Sequence, residues 1–128
     1  MSTQEEIYGA LKNLLGERYP VLESYDATAG VHPSGCIAVD IVEIEDLMHT
    51  GCRDCRLEVH VSGFTLADED RTRDSLQEMA DYVLSQDYDG LEVEGLVGVV
   101  RGRISFASDG ESNEFTLVLE LFIADVKF

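Results

Sequence analysis

The chain has 128 residues, with 26 Asp or Glu against 9 Lys or Arg, so its formal net charge is −17. That balance excludes simple electrostatic binding to nucleic acid or anionic lipid, which needs clustered cations. A hydrophobic share of 45% is too high for a disordered acidic tail, and the length fits one domain over residues 1–128 that folds without a disulfide or metal staple.

Residues 3–17 read as an amphipathic helix. Thr3 is the expected N-cap and Glu6 the partner three residues on in a capping box. Ile7, Leu11, Leu14 and Leu15 form its apolar stripe, and Pro20 forbids continuation. The start MSTQEEIYGALKNLL has neither the basic region nor the apolar run of a signal peptide. Apolar runs elsewhere fall far short of the ~20 residues that cross a bilayer.

Residues 18–35 read as loop, punctuated by Pro20, Gly30, Pro33 and Gly35. Cys36–Ile44 is an expected strand, with Ile37, Val39 and Ile41 on one face and Ala38, Asp40 and Val42 on the other. Residues 45–55 form a connection. Residues 56–63 alternate cleanly: Leu57, Val59 and Val61 against Arg56, Glu58, His60 and Ser62, a strand with one wet face.

A second helix is expected over 68–86, opened by Asp68, Glu69 and Asp70, with Leu76, Met79, Ala80 and Val83 as its stripe. Residues 91–94 read as a short strand. Residues 96–106 read as a long one, with Leu96, Val100, Ile104 and Phe106 on one face and Arg101 and Arg103 on the other. A turn at Ser108–Glu111 leads to the last strand, 114–124, with Phe115, Leu117, Leu119, Leu121 and Ile123 alternating. The order α-β-β-α-(β)-β-β predicts an α+β fold: a mostly antiparallel sheet with both helices packed on one face. Ala38, Val42, Val118 and Phe122 then fall on the other face, where either a partner or the 18–35 loop covers them.

Few residues suggest chemistry. Cys52 and Cys55 have the spacing that grips one Zn²⁺, and His49 and Cys36 are the residues that could complete a Cys3His set. The second tightly spaced ligand pair of a zinc ribbon is missing, and the default for the three cysteines is plain thiols in a reducing cytosol. A redox motif should open a helix after a strand, whereas this one lies between two strands. His32 and His49 stand in expected loops, and His60 reads as a solvated sheet residue. No nucleophile motif occurs, so no catalytic, cofactor or metal residue is assigned. Gly95, Gly98 and Gly102 lie inside a strand pattern and lack the strand–turn–helix setting of a phosphate loop, so they mark bulges or close backbone approach.

Charge is unevenly placed. From Tyr19 to Cys52 there is no Lys or Arg, while Glu23, Asp26, Asp40, Glu43, Glu45 and Asp46 all occur. The paired cations are Arg101 with Arg103 and Arg71 with Arg73, candidates for salt bridges between subunits.

Taken together, the helix Ile7 to Leu15, the strand Ile37 to Ile44, Leu57-x-Val59-x-Val61, Leu76-x2-Met79-Ala80-x2-Val83, the Gly95-Leu96-Val97 turn and Phe115-x-Leu117-x-Leu119-x-Leu121-x-Ile123 resemble the tail-terminator and tail-completion proteins of long-tailed bacteriophages and prophages. The resemblance spans nearly the whole chain and is one of length, order and spacing. It implies a non-enzymatic virion protein without cofactors, assembled in host cytoplasm and located in the virion tail. There it caps the tail tube as a ring, commonly a hexamer, and meets tail-tube and head-connector proteins. It also implies ring contacts through the sheet and the 45–55 connection. Cys52, Cys55 and His49 in that connection depart from the family pattern. The alternative from charge alone is an acidic binding module that mimics nucleic acid or blocks a basic partner.

Overall fold

A computed structural model describes residues 2–22, 35–47, 54–66, 72–108 and 112–126. Within them, helix α1 (Thr3–Leu15) is followed by β1 (Val21–Leu22), β2 (Cys36–Asp46), β3 (Cys55–Leu66), helix α2 (Thr72–Ser85), a 3-10 turn (Tyr88–Gly90), β4 (Leu96–Ser108) and β5 (Ser112–Ile123). The fold is α+β, as the patterning predicts. The five strands run in the order β1-β2-β3-β5-β4. β1 is parallel to β2 and the other neighbours are antiparallel.

α1 packs on β1 and β2, and α2 on β3 and β5, so both helices cover one sheet face. Ile7, Leu11 and Leu15 of α1 and Met79, Ala80 and Val83 of α2 close over Ile37, Val39, Val59, Val61, Leu117, Leu119 and Leu121. Most of these side chains have no exposed surface, and each fully buried aliphatic contributes about 1.5–3 kcal/mol. α2 lies tight on the sheet at Gly63, where a Cβ would collide with the Phe115 ring and Met79 Sδ.

Several expectations are corrected. The cap of α1 is Ser2, whose Oγ accepts from Glu5 N at 3.2 Å, while Thr3 is buried in the first turn. The Glu6 carboxylate instead accepts from Glu94 N at 3.2 Å, tying α1 to the segment before β4. Part of the expected 18–35 loop is the edge strand β1, held by Ile37 N donating to Pro20 O at 2.9 Å. Residues 91–94 are no strand: Val93 N bonds Leu91 O within a tight turn after the 3-10 turn.

The largest correction concerns β4. Its register slips between Leu96 and Gly98 and again between Arg101 and Ile104. Each slip inserts a residue and breaks the period of two on which the face assignment rested. Arg101 therefore pairs with Leu119 on the helix-covered side, and Val100 pairs with Glu120 on the opposite side. Arg103 does not share a face with Arg101 in regular alternation, because Gly102 and Arg103 together oppose Val118. Gly98 and Gly102 thus mark bulges, as expected. Gly95 has φ +84°, and a Cβ there would strike the Ala124 carbonyl. The Asp68–Asp70 cluster, Arg71 and the turn residues 109–111 lie outside the described residues.

Candidate functional site

The sheet face away from the helices carries charge in ordered rows. Register places Glu43 on β2 beside Glu58 on β3 and Glu120 on β5. Three like charges side by side across a sheet repel. Arg56, one pleat away between Glu45 and Phe122, resolves this. Its guanidinium lies 2.9 Å from Glu45, 3.4 Å from Glu43, 3.6 Å from Glu120 and 3.9 Å from Glu58. The hydrogen bond to Glu45, aided by the charges of Glu120, Glu45 and Glu43, raises the Arg56 pKa against the opposing effect of burial. Four carboxylates around one guanidinium leave a surplus of three negative charges.

The next row holds Asp40, His60 and Val118. His60 lies on the open sheet face as expected, but it is half-buried rather than fully solvated, with Nε2 3.1 Å from Glu58. Beyond it, Ser62 and Thr116 hydroxyls lie 3.2 Å apart. Of the apolar residues expected on this face, Ala38 is buried, Val118 and Phe122 are half-buried and Val42 is exposed in the β2 irregularity.

The C-terminus of α2 is held by side chains from later in the chain, because its last turn has no basic residue. Tyr88 OH donates to Val83 O at 2.6 Å, and Arg101 donates to Leu84 O. Arg101 thereby satisfies an orphan carbonyl and places a cation at the negative end of the helix dipole. Burial raises the Tyr88 phenol pKa, with the nearby Arg101 charge opposing. Tyr82 OH donates to Leu14 O at 3.2 Å, joining the two helices. Arg18 lies 5.6 Å from the ring centres of Tyr19 and Tyr82.

Cys36, His49, Cys52 and Cys55, the residues whose spacing could suit zinc, cannot all form one set. Cys36 pairs with Phe64 and Cys55 with Asp46, at opposite ends of the β2–β3 ladder. Those positions are nine steps apart along β3, about 30 Å at strand rise. Cys36 therefore cannot share an ion with Cys55. Burial also raises the Cys36 pKa. Cys52, His49 and His32 lie outside the described residues. Among the described residues no three of His, Cys, Asp and Glu converge to hold a metal ion. A groove of about 630 Å³ runs between α1 and residues 87–92, rimmed by Glu5, Glu6, Asp87 and Glu92. No helix among the described residues is long and apolar enough to cross a membrane.

The edges of the sheet were the part that sequence reasoning missed. β4 pairs with β5 over its length and has no strand on its other side among the described residues. On the far side of the sheet, among the described residues, β1 pairs with Ile37 and Ala38 of β2. Tyr8 OH accepts from Ile41 N at 3.2 Å, and Val42–Asp46 continue beyond it, all exposed.

No protein-family model matches the chain, and no curated protein matches it. Among solved structures it is similar to a chain in the virion of a native gene transfer agent particle, with a TM-score of 0.65 at 15% identity. The likeness covers 96% of this chain and 95% of that one, so the α+β fold is shared with that virion chain from end to end.

Proposed function

We propose that this chain is a non-enzymatic structural component of a phage or prophage virion, acting as a single unit over residues 1–128. Its role is tail completion: a ring, hexameric by the family pattern, that caps the tail tube at the head–tail junction. The observation that carries this reading is the fold shared along nearly the full length of a gene transfer agent virion chain. Supporting it, among the described residues no cluster that could hold a metal forms, and the open face is an ordered array of charge rather than a cleft. DNA that passes through such a ring must not adhere to it. A surplus of carboxylates repels phosphates over a Debye length of about 8–10 Å.

The test is deletion of the gene in a particle-producing host, followed by electron microscopy of the lysate. Tailless heads and tails of irregular length, restored when the chain is supplied in trans, are expected. Normal joined particles in the deletion strain would overturn the reading. The three-charge surplus around Arg56 also favours a second reading, an acidic module that occupies a basic partner. That reading requires a stable monomer or dimer and salt-sensitive capture of a basic protein.

A further inference from the structure

We propose that the two sheet edges left without a neighbouring strand among the described residues are the two halves of one contact between copies of this chain. The β4 edge of one copy receives the outer edge of β2, Val42–Glu45, of the next. This deepens the ring reading and rests on it.

The first support is where apolar surface is left uncovered. Among the described residues, the exposed large hydrophobics are Val42 and Ile44 on β2 and Val97, Val100 and Phe106 on β4. Three lie on the edge strand β4 and two on the part of β2 that runs past its described pairing with β1. Val97 is 75% exposed, Phe106 53% and Val100 51%, which a solitary domain would not gain by presenting on an unpaired strand. Long open edges with apolar side chains pair with other strands.

The second support is charge. Val42–Glu45 carries Glu43 and Glu45, and the cluster to which both belong keeps its negative surplus after Arg56 is counted. β4 carries Arg101 and Arg103. Arg101 already holds Leu84 O, whereas Arg103 is exposed and has no ion pair among the described residues. Opposite charge on apolar edges fixes which edge meets which. Pairing β4 with another β4 would instead set arginines against arginines.

A contact between two different patches is heterologous, so repeated copies close into a ring when the rotation per copy divides a full turn. Edge-to-edge joining leaves the helix-covered face and the acidic face free. The acidic face is then available to the lumen.

The test is a charge reversal in both directions, R103E and E43R, alone and together, on the full chain. Association is followed by native mass spectrometry over a concentration series. It is followed in parallel by binding to tail tubes from the deletion strain. Each single reversal is expected to weaken association at least tenfold, and the double reversal to recover most of that loss. Circular dichroism and thermal melts check folding, and V97K gives a second, charge-independent block of the same edge. Single reversals and V97K that assemble like the parent would overturn the edge contact while leaving the ring reading intact. So would a double reversal no better than the weaker single. Reversals that self-assemble normally but fail to join heads to tails would assign the edge to another virion protein and overturn the proposal. A parent chain that stays monomeric both free and on tail tubes would remove the ring reading itself, and the edge contact with it.

Discussion

The two faces of this sheet are built from alternate residues of the same strands, yet they answer to different physics. Under the helices, Leu57, Val59, Leu117, Leu119 and Leu121 are sealed from water. That face is specified by volume, because close-packed interiors register the loss of even one methylene. One residue along each strand, the open face carries Glu58, His60, Val118 and Glu120, half-exposed and specified by charge. The covered face explains why the chain folds. The open face and the edges carry what distinguishes this chain from any other sheet with two helices.

The sharpest way to break that division is a pair of truncations at adjacent positions. Leu119→Ala removes a side chain with no exposed surface and leaves a cavity between β5 and its neighbours. It should cost about 3–4 kcal/mol in urea unfolding. Val118→Ala, one residue away on the open face, should cost less than about 1 kcal/mol. Equal losses would mean that the open face is packed as tightly as the covered one.

Much of the covered face is legible in the sequence because period-2 and helical spacing record burial directly. Ile37, Val39, Leu57, Val59, Val61 and the Phe115–Ile123 stripe all fall where alternation puts them. β4 is the exception, and the reason is local. Counting by twos from Leu96 assigns Val100 and Arg101 to the wrong faces, because two inserted residues shift the phase and an edge strand with one neighbour tolerates them. The glycines at 98 and 102 were the available signal. The Arg56 cluster was not legible, since it depends on which strand lies beside which. Glu43, Glu58 and Glu120 are 77 residues apart from first to last in the chain and become neighbours only through the order β2-β3-β5.

A second prediction sharpens the comparison at the margin of the covered face, where Tyr88 carries a polar tip into it. Tyr88→Phe leaves the Val83 carbonyl without the 2.6 Å hydrogen bond it now accepts. The expected loss is about 1–2 kcal/mol at neutral pH. Alkaline titration gives an independent signature. Burial raises the folded-state pKa of the phenol above its ordinary value of 10.0. Above pH ~10 the unfolded chain releases this proton while the native chain keeps it, so native stability falls as pH rises through that range. The parent should lose more stability between pH 9 and 11 than Tyr88→Phe does, by chemical unfolding at each pH. Identical slopes would show that the phenol is not held neutral by burial.

The smallest effect belongs to the open face and depends most on solvent. Arg56→Gln removes the one guanidinium among Glu43, Glu45, Glu58 and Glu120, so the local surplus rises from three negative charges to four. The row of glutamates that Arg56 now bridges would face one another uncompensated. The thermal midpoint of the variant should fall below the parent's at low ionic strength. The gap should narrow as salt shortens the Debye length from about 10 Å at 0.1 M to about 3 Å at 1 M. Glu120→Gln added to Arg56→Gln should recover part of the loss, because it removes one of the charges left facing Glu58. A gap that ignores salt would instead trace the loss to the packed stem of the arginine, and the open face would then resemble the covered one more than its charge suggests. Salt dependence that Glu120→Gln relieves would establish the opposite: this surface is maintained as an acidic array, held just short of self-repulsion by a single cation.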